Sequence, residues 1–103
     1  MTLDEINAML KTSGLPVTYR AWPEKQAPEL PYLCYLTDYS DNFPADGVVY
    51  HPIKHVQVEL YTREKNPQAE SAVEAALAGV FWQKSEEYLD SEQCYEIIYE
   101  FEV

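Results

Sequence analysis

The C-terminal segment, residues 93–103, alternates more strictly than any other part of the chain, and this pattern limits how the protein can fold. Successive side chains of a β-strand point to opposite faces of the sheet. One face would carry Tyr95, Ile97, Tyr99, Phe101 and Val103, and the other Cys94, Glu96, Ile98, Glu100 and Glu102. A shift of one residue in the pairing would bury three carboxylates, so the register is strongly specified. The sequence therefore predicts a sheet with one apolar face against the core and a second face that is wet or meets a partner.

Further segments also have the character of strands, namely residues 17–22, 32–39, 48–51, 54–63 and 81–89. In residues 54–63, Val56, Val58, Leu60 and Thr62 would point inward, and His55, Gln57, Glu59 and Tyr61 outward, as in a half-buried strand. Residues 32–39 are nearly apolar on both faces, which is typical of a central strand covered on both sides. Residues 23–31 contain three prolines and indicate a loop, residues 40–47 have the composition of a turn, and residues 90–92 would close a hairpin.

Two segments predict helices. Thr2 and Glu5 have the spacing of a capping box, and the apolar residues that follow predict a helix over about residues 3–13 that stops at Gly14. Asn66 and Pro67 are typical of a helix start. The second helix would bury an alanine-rich stripe, turn Glu70, Ser71 and Glu74 away from the core, and end near Gly79.

These elements predict an α+β fold in one domain over residues 1–103. Their order is α-β-β-β-β-α-β-β. Short loops between consecutive strands favour a mostly antiparallel sheet of about five or six strands, and we expect both helices to pack on one face of it.

The charge of the chain excludes several classes of partner. The net charge is −11, from 18 acidic against 7 basic residues, and no five-residue window holds more than two lysines and arginines. Phosphate-backbone binding requires a positive stripe, and anionic membranes attract basic segments, so we predict neither direct nucleic-acid binding nor membrane binding. The N-terminus lacks the pattern of a signal peptide, which favours an intracellular protein with Cys34 and Cys94 reduced.

No constellation of residues points to catalysis. Pro52 separates His51 from His55, so these two histidines cannot form a metal-binding pair on a helix. Cys34 lies in an apolar strand, which is the wrong surrounding for a reactive thiolate. Asp38, Asp41 and Asp46 fit no calcium loop and are typical of turns. The sequence predicts no catalytic, cofactor-binding or metal site, and hence no enzyme.

Several segments together carry a family resemblance. They are Gly14-Leu15-Pro16-Val17-Thr18-Tyr19, Pro31-Tyr32-Leu33-Cys34-Tyr35-Leu36, residues 41–46 leading to Val49-Tyr50-His51, residues 56–62, and the hairpin Tyr88-Leu89-Asp90-Ser91-Glu92 before a Tyr/Glu-rich end. Over nearly the whole chain the sequence resembles the small tail-completion, or tail-terminator, proteins of siphophages and prophages of Gram-positive bacteria. More distantly it is similar to the lambdoid tail terminator. The motifs are structural and carry no chemistry.

The resemblance implies a structural role in the virion. Such proteins form rings at the head-proximal end of the tail, stop growth of the tail tube and provide the surface that meets the head connector. We therefore expect a homo-oligomeric ring that binds tail-tube and head-completion proteins, is located in the virion, and is found in the host cytoplasm during assembly. No cofactor is implied.

The candidate interface follows from the resemblance and from the charge pattern. The free strand edges and the 40–50 segment, with Phe43 as its large apolar residue, are possible ring contacts, while the acidic side chains would line a lumen that repels DNA. The candidate residues are Tyr39, Asp41, Phe43, Asp46, Tyr50, Glu96, Glu100 and Glu102. An alternative is an acidic inhibitor or immunity-type protein that binds one basic target, and a small enzyme is a third possibility. Neighbouring genes for head-completion and major tail proteins would favour the first.

Overall fold

The computed structural model describes residues 1–40, 42–45 and 47–103, with the backbone alone described for residues 43–45 and 48–51. Within these residues two helices and seven strands follow one another. They are α1 (Leu3–Lys11), β1 (Val17–Tyr19), β2 (Tyr32–Ser40), β3 (Phe43–Ala45), β4 (Val48–His51), β5 (Lys54–Thr62), α2 (Pro67–Ala76), β6 (Gln83–Leu89) and β7 (Cys94–Glu102). The predicted order is confirmed, with β3 as an additional strand. Residues 43–45 were predicted as part of a turn, but they pair with β4 in a separate two-stranded hairpin.

The main sheet has five strands in the order β1-β2-β5-β7-β6. All its pairs are antiparallel except β1 and β2, which run parallel. The connection between these two parallel strands, residues 20–31, must cross one face of the sheet. The chain leaves β1 at Arg20, which has a φ of 63°, so the strand ends at Tyr19, three residues before its predicted end at Trp22.

Both helices pack on the same face of the sheet, so the predicted α+β class is confirmed. Ile6 and Leu10 of α1, Val73 of α2 and Leu77, which caps α2, are fully buried. They meet the inward-facing residues of the three central strands, namely Leu33, Tyr35, Val56, Val58, Leu60, Ile97, Tyr99 and Phe101. The members of this set that belong to β5 and β7 are residues that the alternation placed on the inward or apolar face. Their burial supplies most of the apolar driving force of the fold.

Local hydrogen bonds start each helix where the sequence predicts. The backbone N–H of Thr2 donates to Glu5 Oε1 at 2.8 Å and the N–H of Glu5 donates to Thr2 Oγ1 at 3.1 Å, which completes the capping box. Asn66 Oδ1 accepts from the N–H of Ala69 at 3.0 Å. α1 is two residues shorter than predicted, because Gly14 with a φ of 82° already belongs to the turn that leads into β1. Within the described residues no helix is long and apolar enough to cross a membrane.

Candidate interaction surface

The side of the five-stranded sheet that faces away from the helices is called here the open face. Pairing places Tyr61 beside both Tyr32 and Glu96, and Glu59 beside both Cys34 and Ile98. The remaining paired strand residues of the open face are Thr18, Leu36, Tyr39, His55, Gln57, Cys94, Glu100, Glu102, Gln83, Ser85, Glu87 and Leu89. Among these described strand residues there is no lysine or arginine, so the open face is strongly acidic.

On the helix side of the sheet, the carboxylates of α2 are paired with lysines. Glu70 of α2 is 4% exposed, and its two oxygens lie 2.7 Å from Lys65 Nζ and 2.7 Å from Lys84 Nζ. Glu74 accepts from Lys84 Nζ and from the Tyr99 hydroxyl, each at 2.8 Å. Burial alone would raise the pKa of Glu70, but hydrogen bonds from the two lysines lower it below its usual value. The prediction that Glu70 faces away from the core was wrong, because the edge strand β6 brings Lys84 against the helix and makes burial of this carboxylate tolerable.

Two carboxyl groups on the open face have no lysine or arginine partner among the residues that the structure describes. Glu59 and Glu96 lie diagonally across β5 and β7, and Glu96 is 8% exposed. The Tyr61 hydroxyl donates to Glu96 Oε2 at 2.9 Å and Gln57 Nε2 donates to Glu59 Oε2 at 3.2 Å. Burial, together with the neighbouring Glu96, raises the pKa of Glu59 to about 7. At neutral pH Glu59 therefore holds a proton for part of the time, which reduces its repulsion with the neighbouring carboxyl group.

At one end of the open face, His55 organises a polar cluster. Its imidazole Nδ1 pairs with Asp38, its Nε2 lies 3.8 Å from Glu100 Oε1, and its ring stacks on Tyr39 with centroids 4.3 Å apart. Burial would raise the pKa of Asp38, but the hydrogen bond with His55 lowers it overall. Both ring nitrogens of His55 therefore face carboxylates and its ring stacks on an aromatic ring, so the side chain has a structural role.

A shallow cleft of about 460 Å³ opens beside this cluster. It is lined by Tyr39, Phe81, Gln83, Glu100 and Glu102, together with His55 and Phe101. Phe81 is 85% exposed and Tyr39 is 58% exposed, which makes them the two most exposed large hydrophobic side chains among the described residues. Exposed aromatic residues rimmed by charges are typical of protein–protein contact sites.

The structure brings together three of the residues predicted for the interface and separates a fourth from them. Tyr39, Glu100 and Glu102 line the Phe81 cleft, whereas Glu96 belongs to the carboxyl pair nearer the other end of the sheet. Asp41 and Asp46 lie outside the described residues, and the side chains of Phe43 and Tyr50 are also outside them.

Phe81 was missed as an interface residue because its segment was predicted as strand from residue 81. β6 begins at Gln83, so Phe81 falls in the connection after α2, where no neighbouring strand covers it. The alternation in residues 81–89 does not mark Gln83 as the first paired residue, so no clear signal for this exposure is present in the sequence.

A larger cleft of about 820 Å³ occupies the opposite end of the open face. Residues 27–30 of the β1–β2 connection form one wall, and Leu89, Glu92 and Cys94 of the β6–β7 hairpin form the other. The rings of Tyr32 and Tyr61 lie 5.5 Å apart between these walls, and Trp22 packs edge-on against Tyr32 at 5.8 Å. The connection that must cross one face of the sheet therefore crosses the open face.

Neither cysteine has the surroundings of a nucleophile. Cys34 and Cys94 are free and buried, and both point to the open face, Cys34 among the strands and Cys94 at the wall of the large cleft. Burial, with the nearby carboxyls of Glu59 and Glu96, raises the pKa of Cys34 to about 11. The thiol is therefore protonated at neutral pH. Among the described residues no group of three or more His, Cys, Asp and Glu side chains is placed to hold a metal ion.

Comparison with solved structures finds the same fold in a virion. A chain in the structure of the virion of a native gene transfer agent particle superposes on this protein with a TM-score of 0.66. The alignment covers 97% of this chain and 85% of that chain, at 12% sequence identity. At this identity the likeness shows a shared fold. No model of a known protein family matches the sequence, and comparison with curated proteins finds no relative.

Proposed function

We propose that this protein is a structural component of a phage-type virion, a tail terminator that caps the tail tube and joins it to the head connector as a ring. The observation that carries the proposal is the shared fold over 97% of the chain with a component of a phage-like particle. It agrees with the resemblance of the sequence to tail-completion proteins. The role requires assembly with virion proteins and no catalytic turnover.

The two exposed features of the open face suit this role in different ways. Phe81 and Tyr39 supply an apolar contact of the kind that a neighbouring subunit or a tail-tube protein can bury. Glu100 and Glu102 border the same cleft and would repel the phosphates of DNA that passes through a ring. In a ring each copy presents one patch to a different patch of the next copy, so the aromatic cleft would supply one of the two contact patches on each subunit.

Purified tail tubes provide the direct test. The labelled protein is mixed with tubes, sedimented, and located by electron microscopy, and we expect it at one end of each tube. Phe81→Ser should weaken this binding. Leu3→Ser is the control, because Leu3 is an apolar residue of α1 that is 42% exposed, and it should leave the binding unchanged. Phe43→Ser tests the β3–β4 hairpin in the same assay. Absence of the protein from the tubes, together with a monomer that persists at high concentration, would contradict the proposal.

The second candidate function is an acidic inhibitor of a basic protein. The uncompensated carboxylates of the open face favour it, because acidic surfaces match basic nucleases and DNA-binding proteins. It predicts a tight complex with one copy of each partner and no binding to tail tubes. The tube assay therefore separates the two functions.

A further inference from the structure

We propose that the outer edge of β6 is a docking site for an extended segment of another protein, which adds to the sheet as a sixth strand and carries lysine or arginine next to Glu87. That this partner is another virion protein rests on the proposed function. The capacity of β6 to accept a strand rests on its own backbone geometry.

The two outer strands of the main sheet differ in length and regularity. β1 has three residues, is followed by Arg20 with a φ of 63°, and the carbonyl of Tyr19 accepts from the N–H of Ala21 at 2.8 Å. β6 has seven residues, contains no proline, and pairs with β7 in one unbroken register. Proteins commonly protect an exposed edge with a short strand, a bulge, a proline or a charge. The backbone of β1 is protected by its shortness, and the backbone of β6 is a regular edge.

The hydrogen bonds between β5 and β7 determine which backbone groups of β6 point outward. In the register of these two strands, Lys54 and Val103 exchange both of their backbone hydrogen bonds, at 2.9 and 3.0 Å. Because bonded and non-bonded pairs alternate along an antiparallel ladder, the odd-numbered residues of β7 bond to β5 and its even-numbered residues bond to β6. These even-numbered residues pair with the odd-numbered residues of β6. The N–H and C=O groups of Lys84, Glu86 and Tyr88 therefore point away from the sheet.

The outward-pointing groups of β6 are accessible to another strand. Within the part of the chain that the structure describes, no backbone hydrogen bond joins the N–H or C=O groups of Lys84, Glu86 and Tyr88 to a further strand or loop. These residues and those between them are exposed. Lys84 Nζ lies 2.7 Å from Glu70 and 2.8 Å from Glu74, so its charge is directed toward α2 and not across the edge. An extended segment could therefore pair with these groups as strands do in β-augmentation.

The charges along β6 favour a basic segment over a second copy of this chain. On the open face Glu87 lies directly opposite Glu96 of β7, and among the described residues Glu87 has no lysine or arginine partner. Like charges that face each other on a sheet are destabilising, and a cation on the next strand would offset them. Two β6 strands paired antiparallel over their full length would instead set Glu86 of one copy opposite Glu86 of the other, and β1 of a second copy offers only three residues. Charge complementarity therefore points to a different chain with basic side chains.

The test measures amide hydrogen exchange of the full ¹⁵N-labelled protein with a blocked peptide, Thr-Lys-Val-Lys-Val-Lys-Thr, whose side chains alternate as in a strand. In the free protein the amides of Lys84, Glu86 and Tyr88 should exchange faster than those of Ser85 and Glu87, which bond to β7. The peptide should slow exchange at the first three. A peptide with glutamate in place of lysine should bind at least about fivefold more weakly at low salt. A lysine peptide with N-methylated valines, whose N–H groups would face β6, should give no protection.

Substitutions at Glu86 separate the backbone of the edge from its side chains. Glu86→Pro removes an N–H that points outward, and proline is tolerated at such edge positions, so the pairing with β7 is retained. It should weaken peptide binding at least about tenfold, because a donor is lost and the proline ring obstructs the added strand. Glu86→Gln loses the same charge, and with it the ion pair with Lys65, but keeps the N–H, so its peptide affinity should stay within about twofold. If Glu86→Pro fails to fold, the N-methylated peptide tests the same backbone bonds on the native protein.

Several results would overturn the proposal. If the lysine peptide gave no protection at Lys84, Glu86 and Tyr88, the edge would not accept a strand, and equal binding of the glutamate peptide would remove the preference for a basic segment. Protection of these amides that increases with protein concentration, without peptide, would identify a second copy as the occupant. Failure of tail-tube binding with intact peptide binding would contradict only the tail-terminator role, and the reverse result would contradict only this docking site.

Discussion

The two faces of the sheet differ in the partners that surround their buried carboxyl groups. On the helix side, Glu70 is buried and each of its oxygens has a lysine partner at 2.7 Å. On the open face, Glu96 is almost as well buried, yet the hydroxyl that bonds to it belongs to a tyrosine, and the charged group beside it is a second carboxyl group, that of Glu59. Breaking a buried ion pair destabilises a fold because it leaves an uncompensated charge, whereas two neighbouring carboxylates repel each other. Among the described residues, the helix side therefore compensates its buried carboxylate with lysines of the same chain, and the open face does not.

Adjacent isoleucines of β7 give the largest expected difference between the faces. Ile97 is fully buried on the helix side, and Ile98 is half-buried on the open face. Ile97→Ala should lower the free energy of unfolding by about 3 kcal/mol, because it leaves a cavity in the core, and Ile98→Ala by about 1 kcal/mol. Urea denaturation of both variants measures the difference. Equal losses would mean that the open face is covered in the isolated protein.

Replacing glutamate by glutamine should lower the free energy of unfolding on the helix side and raise it on the open face. Glu70→Gln removes the charge that holds Lys65 and Lys84 to α2, and we expect a loss of about 1–3 kcal/mol at pH 8. Glu59→Gln removes a carboxylate that repels Glu96, and we expect a gain of about 1–2 kcal/mol at pH 8 after allowing for solvent screening. Thermal unfolding of the two variants side by side is the measurement. A loss of stability in both would contradict the contrast between the faces.

The pH dependence of the free energy of unfolding should separate the contribution of Glu59 from that of the carboxylates that have lowered pKa values. The pKa of Glu59 is raised from about 4.5 in the unfolded chain to about 7 in the folded protein, so the folded state binds the additional proton between these values. Stability should therefore fall as the pH rises from about 4.5 to about 7 and then level off. Glu70, Glu74 and Asp38 have lowered pKa values, and their contribution is lost when the solution becomes more acidic than their folded pKa values. Denaturation curves at a series of pH values should show the neutral-range decline in the native protein and its absence in Glu59→Gln.

The smallest change in the free energy of unfolding is expected for a substitution at the exposed end of the open face. Glu102 is exposed and lies across from His55 in the pairing of β5 with β7. Glu102→Gln should change the free energy of unfolding by less than about 0.5 kcal/mol, as for most surface substitutions. A clear stabilisation by this change would show that repulsion extends over the whole open face, beyond the Glu59–Glu96 pair.

The alternation of side chains along β7 was sufficient to predict part of the candidate surface. Alternation placed Glu96, Glu100 and Glu102 on one face of β7, and the pairing with β5 confirms that arrangement. The exposure of Phe81 and the burial of Glu70 were not predictable in this way. Both depend on where β6 begins and which helix it meets, and sequence-based boundaries of strands carry errors of two or more residues.

The sequence by itself determined both helices, the strands other than β3, and the faces of the long strands β5 and β7. These depend on the strand period, on caps such as Thr2 and Asn66, and on the cost of burying carboxylates. Only the tertiary structure decided which strands are neighbours. β7 lies between β5 and β6, and the crossing connection from β1 covers one end of the open face. That arrangement sets Glu59 beside Glu96 and gives Glu70 its two lysines. Contacts between residues far apart in the chain depend on the packing of the whole molecule, and local pattern carries no information about them.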